Sequence, residues 1–274
     1  MTCKEKLKKC TKDGTALLAT NFYNFETLKG LLLAAKETRS NLILQLSESS
    51  LNYLGVNPAV AMAKSMLQEW GIEGWIHLDH GSSINIVKEC LDAGFDSVMI
   101  DASERSLDDN IRITKEVVKS AEPYDANVES ELGYIAKLGQ RQALEPTSAE
   151  EAKIFTEETG IDALAVAIGN AHGFYKQIPH LRLDRLREIR KVTHCCLVLH
   201  GSSGIPDDQL QKAVHFGISK INLATETKNT FMKRLQTILA HNEEIDLRKV
   251  FPAAIEEVKD LITKKLNVIN TVVN

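Results

Sequence analysis

The chain of 274 residues has five cysteines but no CxxC motif, and an odd number of cysteines cannot all pair within one chain. These absences argue against a disulfide framework and against a cysteine zinc site. They favour buried or idle thiols in a reducing compartment. No basic patch stands out either, and the formal net charge is -4. We therefore expect no nucleic-acid partner.

Apolar segments of the kinds that target or span membranes are also lacking. The opening residues, MTCKEKLKKC, contain no apolar stretch of the secretory-signal type, and no apolar run is long enough to cross a bilayer. No Gly/Ser-rich linker and no low-complexity tract divides the sequence. We expect a single domain over residues 1–274, in the cytoplasm and without membrane contact.

Short apolar runs with strand character alternate with amphipathic stretches along the chain. The candidate strands are Ala16–Thr20, Leu42–Leu46, Trp75–Leu78, Ser97–Ile100, Asn127–Ser130, Ala163–Ile168, Cys196–Leu199 and Lys220–Leu223. The helical patterns between them are Phe25–Glu37, Pro58–Glu69, Ile84–Ala93, Leu107–Ser120, Ala149–Thr159, Asp184–Val192 and Asp207–Phe216. This alternation predicts βαβ units and a parallel sheet. Eight such strands in about 220 residues predict a closed barrel.

The alternative is an open, doubly wound sheet, which calls for a glycine-rich turn after the first strand. Residues 19–23 at that position contain no glycine. We therefore predict an α/β fold, a (β/α)8 TIM barrel. The patterns Glu226–His241 and Pro252–Leu266 would supply the last barrel helix and a C-terminal helical extension.

Polar side chains occur at or just after the end of each predicted strand, on the face where such barrels carry their active sites. They are Asn21, Ser47, Asp79, His80, Asp101, Glu131, His172, His200 and Asn222. Several of these residue types bind metal ions. Their placement at successive strand ends predicts a functional site on that face.

Three of these residues are histidines from separate strand ends, and each is followed by a glycine. Strand alternation directs His77 and Asp79 together into the barrel, whereas His80 can turn toward the rim. A glycine allows close approach of the backbone to a ligand. Three neutral imidazoles with an open fourth position are typical of catalytic zinc, and we predict one zinc ion per chain.

Acidic residues accompany the histidines. Glu129 and Glu131 are two apart and share a strand face, and Asp101 ends another strand. Carboxylates beside a His–metal centre commonly orient its ligands, or they hold a second, monovalent or divalent, cation. The alternative is a buried acid paired with Lys220 or with an arginine.

Two loops are candidates for phosphate binding. Gly201–Gly204 follow the seventh strand and residues 222–225 follow the eighth. Loops after strands seven and eight are where these barrels bind phosphate. Simple turn chemistry explains either loop taken alone.

Taken together, these motifs resemble those of the class II, zinc-dependent fructose-bisphosphate/tagatose-bisphosphate aldolases. The matching stretches span almost the whole chain in the family's order. They are NFYNFET, IHLDHGSS, GFDSVMIDAS, VESELG, TGIDALAVAIGNAHGFYK, LVLHGSSGIP and GISKINLATETKN.

The resemblance implies a lyase that splits a fructose- or tagatose-type ketose 1,6-bisphosphate into dihydroxyacetone phosphate and an aldehyde phosphate. It implies that His80, His172 and His200 bind zinc, with Asp101 and Glu131 supporting the metal region. Asp79 would handle the proton of the C4 hydroxyl. The substrate contacts implied are Asn21, Ser47, Gly173, Lys176, Gly201, Ser202, Ser203, Asn222, Leu223, Ala224 and Thr225. A homodimer or homotetramer is implied too, with Arg248 reaching a partner subunit's site to bind the distal phosphate.

One segment departs from the family pattern. After Glu-Leu-Gly the family has a flexible loop with Gly-Gly-x-Glu-Asp, whose glutamate moves the C3 proton. Here residues 134–146 are shorter, and Arg141 or Gln142 replaces the nearest acid. Glu145 is the acid that could stand in, and we interpret the segment as a lid with changed chemistry. The alternatives are another metal-dependent lyase or epimerase on a related phosphorylated sugar, or a non-catalytic aldolase-like subunit.

Overall fold

Eight parallel strands close into a barrel in which each strand pairs with its neighbours in sequence and β1 pairs with β8. The computed structural model describes residues 1–133, 135 and 146–271. The strands are β1 (Leu17–Asn21), β2 (Leu42–Ser47), β3 (Gly74–Gly81), β4 (Ser97–Ile100), β5 (Asn127–Leu132), β6 (Ala163–Val166), β7 (Cys196–Leu199) and β8 (Ile218–Leu223). All eight predicted strands are present, and the predicted α/β barrel is confirmed.

Helices surround the barrel and connect its strands. They are α1 (Cys3–Asp13), α2 (Phe25–Thr38), α3 (Glu48–Leu54), α4 (Val56–Trp70), α5 (Ile84–Asp92), α6 (Leu107–Ala121), α7 (Ala149–Thr159), α8 (Leu183–Val192), α9 (Asp207–His215), α10 (Thr225–Leu239) and α11 (Leu247–Asn270). Every predicted helix is found. Among the described residues, no helix combines the length and the apolar character needed to cross a membrane.

Two apolar clusters stabilise this arrangement. The larger one lies between the outer faces of the strands and the helices, and includes Leu44, Ile76 and Val258. The smaller one fills the lower barrel interior and includes Ala19, Trp75 and Val198. Because adjacent strand residues face opposite sides, β1 sends Ala19 inward and Leu18 outward.

The N-terminal helix α1, which sequence analysis missed, closes the lower end of the barrel. Its lysines lie on the outer side, but Cys3, Leu7 and Cys10 are buried in the interior cluster. A capping box at Thr2 begins the helix. The described cysteines are all free.

A second helix, α3, was not predicted, and α11 begins earlier than predicted. Helix α3 begins directly after β2, and the Ser47 hydroxyl accepts a hydrogen bond from the Ser50 amide at 3.4 Å. Helix α11 begins at Leu247 rather than at Pro252, because Asp246 caps it by accepting the Arg248 amide at 3.0 Å. Pro252 lies within the helix.

Candidate active site

The end of β3 departs from regular strand geometry, and this departure positions His80. The pairing of β3 with β4 shifts register between Leu78 and Gly81, as at a β-bulge, which can re-aim a side chain. His80 has a φ of +54°, in the left-handed region that residues other than glycine rarely adopt. Gly81 permits this turn, because a Cβ there would lie 2.6 Å from the Met99 carbonyl oxygen.

The three predicted histidines meet above the barrel interior. The ring centre of His80 lies 4.9 Å from that of His172 and 4.8 Å from that of His200. His200 Nδ1 is 3.1 Å from His80 Nε2. These nitrogens therefore face a common centre, although the three residues come from β3, from the segment after β6 and from the end of β7.

Two of the predicted acids contact this cluster in different ways. Asp101 Oδ2 lies 2.7 Å from His80 Nδ1, and Asp101 Oδ1 accepts hydrogen bonds from Ser103. Glu131 joins the three histidines directly, since one ligand atom from each of the four residues lies within 4.8 Å of the others. Asp101 is not part of that group of four residues. It is placed to orient His80, whereas Glu131 is placed to face an ion.

The donor set fits a divalent cation. Burial raises the pKa of Glu131 to about 8 despite the nearby His80, and its Oε2 is buried without a hydrogen-bond partner in the described structure. Burial, together with the charge of His80, lowers the pKa of His172 to about 3, so this imidazole is neutral and offers a lone pair. A cation at the centre would satisfy both groups.

Asp79 lies beside the histidines, with its carboxylate fixed by two amides. Asn21 Nδ2 donates to Asp79 Oδ2 at 3.1 Å, and Asn222 Nδ2 donates to Asp79 Oδ1 at 3.3 Å. Burial would raise the pKa of Asp79, but the nearby basic groups, His80 foremost, outweigh it and lower the pKa to about 2. Asp79 is therefore an ionised base at neutral pH.

Below the histidines, Glu129 and Lys220 form an ion pair inside the barrel, with 2.8 Å between Glu129 Oε2 and Lys220 Nζ. Lys220 thus pairs with Glu129 and not with Asp101 or Glu131. Both side chains are fully buried. Glu129 Oε1 also lies 2.9 Å from His200 Nε2.

The loops after β7 and β8 are joined by hydrogen bonds. The Ser202 hydroxyl donates to the Asn222 carbonyl at 2.6 Å, and the Glu226 amide donates to Ser203 Oγ at 3.2 Å. Gly201 has a φ of +62°, and a Cβ there would collide with the Ala171 carbonyl. The side chains of Ser202, Ser203 and Leu223 are buried, and the Ser202 amide donates to the Asn222 carbonyl at 3.4 Å.

A cavity of about 580 Å³ opens over the histidines. Its wall includes predicted residues, namely Asn21, Ser47, Asp79, His80, Asp101, Glu131, His172, Gly173 and Ala224. It also includes residues that sequence analysis missed, namely Tyr23, Ser49, Ser82, Ser103, Glu104, Ile135 and Lys228. Tyr23 lies two residues after Asn21, and Ser82 lies two residues after His80. Their positions near strand ends could therefore have identified them. Lys228 lies in the first turn of α10. A search of strand ends does not identify a residue within a helix.

Some predicted residues are not brought to this cavity. Lys176 is exposed in the segment between β6 and α8. Arg248 is 90% exposed and forms a two-pronged ion pair with Asp246, with Nε–Oδ1 and Nη2–Oδ2 distances of 3.0 Å. Six further predicted residues, from the loops after β7 and β8, also do not line the cavity: Gly201, Ser202, Ser203, Asn222, Leu223 and Thr225. Glu145 and the lid interpretation lie outside the described residues.

Comparison with known proteins gives a consistent set of matches. The family model for class II fructose-bisphosphate aldolase matches residues 1–273. A fructose-bisphosphate aldolase from Geobacillus stearothermophilus is 37% identical, covering 97% of this chain and 95% of that protein. The crystal structure of the YdjI aldolase from Escherichia coli K12 superposes with a TM-score of 0.86 at 30% identity, over 98% of this chain and 97% of that one. A fructose-bisphosphate aldolase from Campylobacter jejuni shares the fold, with a TM-score of 0.83 at 20% identity over 98% and 94% of the two chains.

Proposed function

The chain belongs to the class II fructose-bisphosphate aldolase family, and we propose that it is a zinc-dependent lyase acting on a ketose 1,6-bisphosphate of the fructose or tagatose type. The products would be dihydroxyacetone phosphate and an aldehyde phosphate. The observation that carries this proposal is a buried Asp79 carboxylate fixed by two amides beside a three-histidine cluster.

The residues have distinct parts in this reaction. His80, His172 and His200 would hold the zinc ion, with Glu131 facing it. When bound, zinc supplies the Lewis acidity that stabilises negative charge on the oxygens of the triose half.

Asp79 would take the proton of the C4 hydroxyl. The C3–C4 bond then breaks, the C4 oxygen becomes the aldehyde carbonyl, and the electron pair remains on C3 of the triose. Asn21 and Asn222 keep the Asp79 carboxylate aimed, which a general base requires. The C3 carbanion must then gain a proton, and the sequence offers Glu145 as its carrier.

The phosphate of the triose half would lie against the backbone of Gly201–Ser203 and residues 223–225, next to Gly173. Backbone amides at the start of α10 favour an anion there. The cavity extends from Gly173 and Ala224 past Tyr23 to Ser47, which leaves room for the aldehyde half on the β1–β2 side.

The decisive assay measures triose phosphate release from a panel of phosphorylated ketoses by the zinc-loaded wild type and by Asp79→Ala. We expect release from a ketose 1,6-bisphosphate, and a loss of roughly 10²–10⁴ in turnover for Asp79→Ala with its zinc content retained. Isomerised ketose without triose release would indicate an epimerase. No turnover of any panel member would indicate a non-catalytic subunit, and near-normal turnover by Asp79→Ala would refute the role of Asp79.

A further inference from the structure

A continuous chain of buried polar side chains runs from the histidine cluster down into the barrel. It begins at His200, continues through Glu129 and Lys220, and reaches His77, whose Nε2 lies 3.3 Å from Lys220 Nζ. His77 Nδ1 lies 2.7 Å from Ser97 Oγ. All five side chains are fully buried.

Buried polar groups of this kind are costly, and the interior cluster next to them is apolar. An unpaired lysine or glutamate here would be strongly unfavourable, and a well-packed apolar pair commonly replaces a buried ion pair at no loss of stability. The stability of the fold therefore does not account for this row of buried polar side chains. A role at its upper end, where Glu129 contacts His200, does account for it.

The directions of the hydrogen bonds determine which nitrogen of His200 is free. Lys220 donates to Glu129 Oε2 at 2.8 Å, so Glu129 is held as a carboxylate that can only accept. His200 Nε2 lies 2.9 Å from Glu129 Oε1 and 3.0 Å from Asn222 Nδ2, which also donates to Asp79 Oδ1. Because the Glu129 carboxylate can only accept, its shorter contact favours the neutral ring with the proton on Nε2. The lone pair is thereby left on Nδ1, which faces His80 Nε2 at 3.1 Å and Glu131 Oε2 at 3.5 Å.

We propose that Glu129, with its charge balanced by Lys220, is the positioning residue that fixes the tautomer and ring orientation of His200 for metal binding. Lys220 contacts Glu129 and His77 inside the barrel. It is therefore not free to form a Schiff base with a substrate. The inference rests on the proposed metal site and adds residues from beneath it.

The test measures zinc affinity, which does not depend on turnover. Zinc dissociation constants of the wild type, Glu129→Gln and Glu129→Gln/Lys220→Met are obtained by competition with a chromophoric chelator. The glutamine amide can donate to His200 Nε2 and so favours the wrong tautomer. The double variant removes the unpaired lysine, which keeps the test valid if the single variant fails to fold.

Thr114→Val is the matched control, because it removes a buried hydrogen bond of the same barrel wall on its outer side. Thr114 Oγ1 lies 3.1 Å from Ser130 Oγ, next to Glu129 in sequence. Long-range ¹H–¹⁵N correlation spectra of the zinc-loaded proteins supply a second measurement, since they report which ring nitrogen of His200 carries the proton.

We expect both Glu129 variants to bind zinc roughly 10–100-fold more weakly, with Thr114→Val unchanged and with the proton on Nε2 in the wild type. Wild-type affinity in both Glu129 variants would overturn this inference and leave the proposed function intact. An equal loss in Thr114→Val, or a proton on Nδ1 in the wild type, would also overturn it. Failure of the wild type to bind zinc would overturn both proposals.

Discussion

Carboxylates of the same chemical type around the histidine cluster have different roles because they have different neighbours. Asp79 accepts from two amides and stays available as a base. Asp101 is engaged by His80, and Glu129 by His200. Glu131 alone of the four keeps a buried oxygen without a hydrogen-bond partner in the described structure. Residue type is therefore a poor guide to function here, and contacts decide it.

Lys228 gives a prediction at this scale. Among the described residues, it is the lysine or arginine that lines the cavity, and its ammonium lies 5.9 Å from the centre of the Tyr23 ring. We expect Lys228→Met to raise KM for the bisphosphate roughly tenfold, because a hydrogen bond to a charged group contributes about 1.5 kcal/mol or more. Turnover at saturation should change much less.

Steady-state kinetics on the best substrate test this expectation, with Lys233→Met on the outer part of the same helix as control. An unchanged KM in Lys228→Met would show that Lys228 makes no contact with the substrate anion. An equal rise in Lys233→Met would show that the effect is one of general surface charge.

The sequence was sufficient to predict the residues of the cluster but not their partners. Strand alternation assigns His77, Glu129 and Glu131 to the inner face, and strand ends assign the three histidines to the rim. That Lys220 pairs with Glu129 depends on how β5 and β8 face each other across the barrel. Such a distance is a property of the closed barrel and has no local signal in the sequence.

At the scale of elements, β3 and α1 show where local patterns are sufficient and where they fail. The strand pattern of β3 was clear, but its bulge at His80 arises from pairing with β4. Helix α1 was missed, although Cys3, Leu7 and Cys10 recur at the spacing of one helical face. Helix α3 was missed because seven residues are too few for a clear periodicity.

The position of α1 makes a prediction about stability. Leu7 is 1% exposed and packs into the interior cluster, so Leu7→Ala should lower the free energy of unfolding by about 2–5 kcal/mol. Zinc affinity and KM should be unaffected, because α1 closes the end of the barrel opposite the histidines.

Urea unfolding monitored by circular dichroism measures this change. Lys8→Ala is the control, since Lys8 is exposed on the same helix and surface substitutions usually stay within about 0.5 kcal/mol. A Leu7→Ala protein as stable as the wild type would mean that α1 does not close the barrel. Weakened zinc binding in that variant would mean that the two ends are coupled.

For the whole molecule, closure of the barrel is what creates the site, since residues from β1, β3, β4, β5, β6, β7 and β8 meet only when the sheet is complete. This level was predictable, because eight alternating strand and helix patterns leave few other arrangements. The assembly of subunits was not predictable from strand periodicity, and it remains a prediction from the family resemblance.

The expected homo-oligomer can be tested through Arg248, which is exposed and does not line this chain's own cavity. If Arg248 serves a partner's site, mixing Asp79→Ala subunits with Arg248→Ala subunits should restore activity at low substrate concentration. Each mixed pair would then contain one site carrying both defects and one intact site. Sedimentation should show at least a dimer.

Absence of complementation in mixed, re-associated subunits would place the two residues in the same site or leave Arg248 without a role. A fully active monomer would contradict the oligomer prediction altogether. Arg185→Ala supplies a control, since Arg185 pairs with Glu188 on α8 and not with the cavity.

The most direct test of the central claim is a crystal structure of the zinc-loaded protein with anomalous data collected at the zinc edge. We predict one strong peak per chain, with nitrogen atoms of His80, His172 and His200 at roughly 2.0–2.1 Å and with Nδ1 as the coordinating atom of His200. A map with no peak at the three histidines, or with zinc bound only by other residues, would contradict the account.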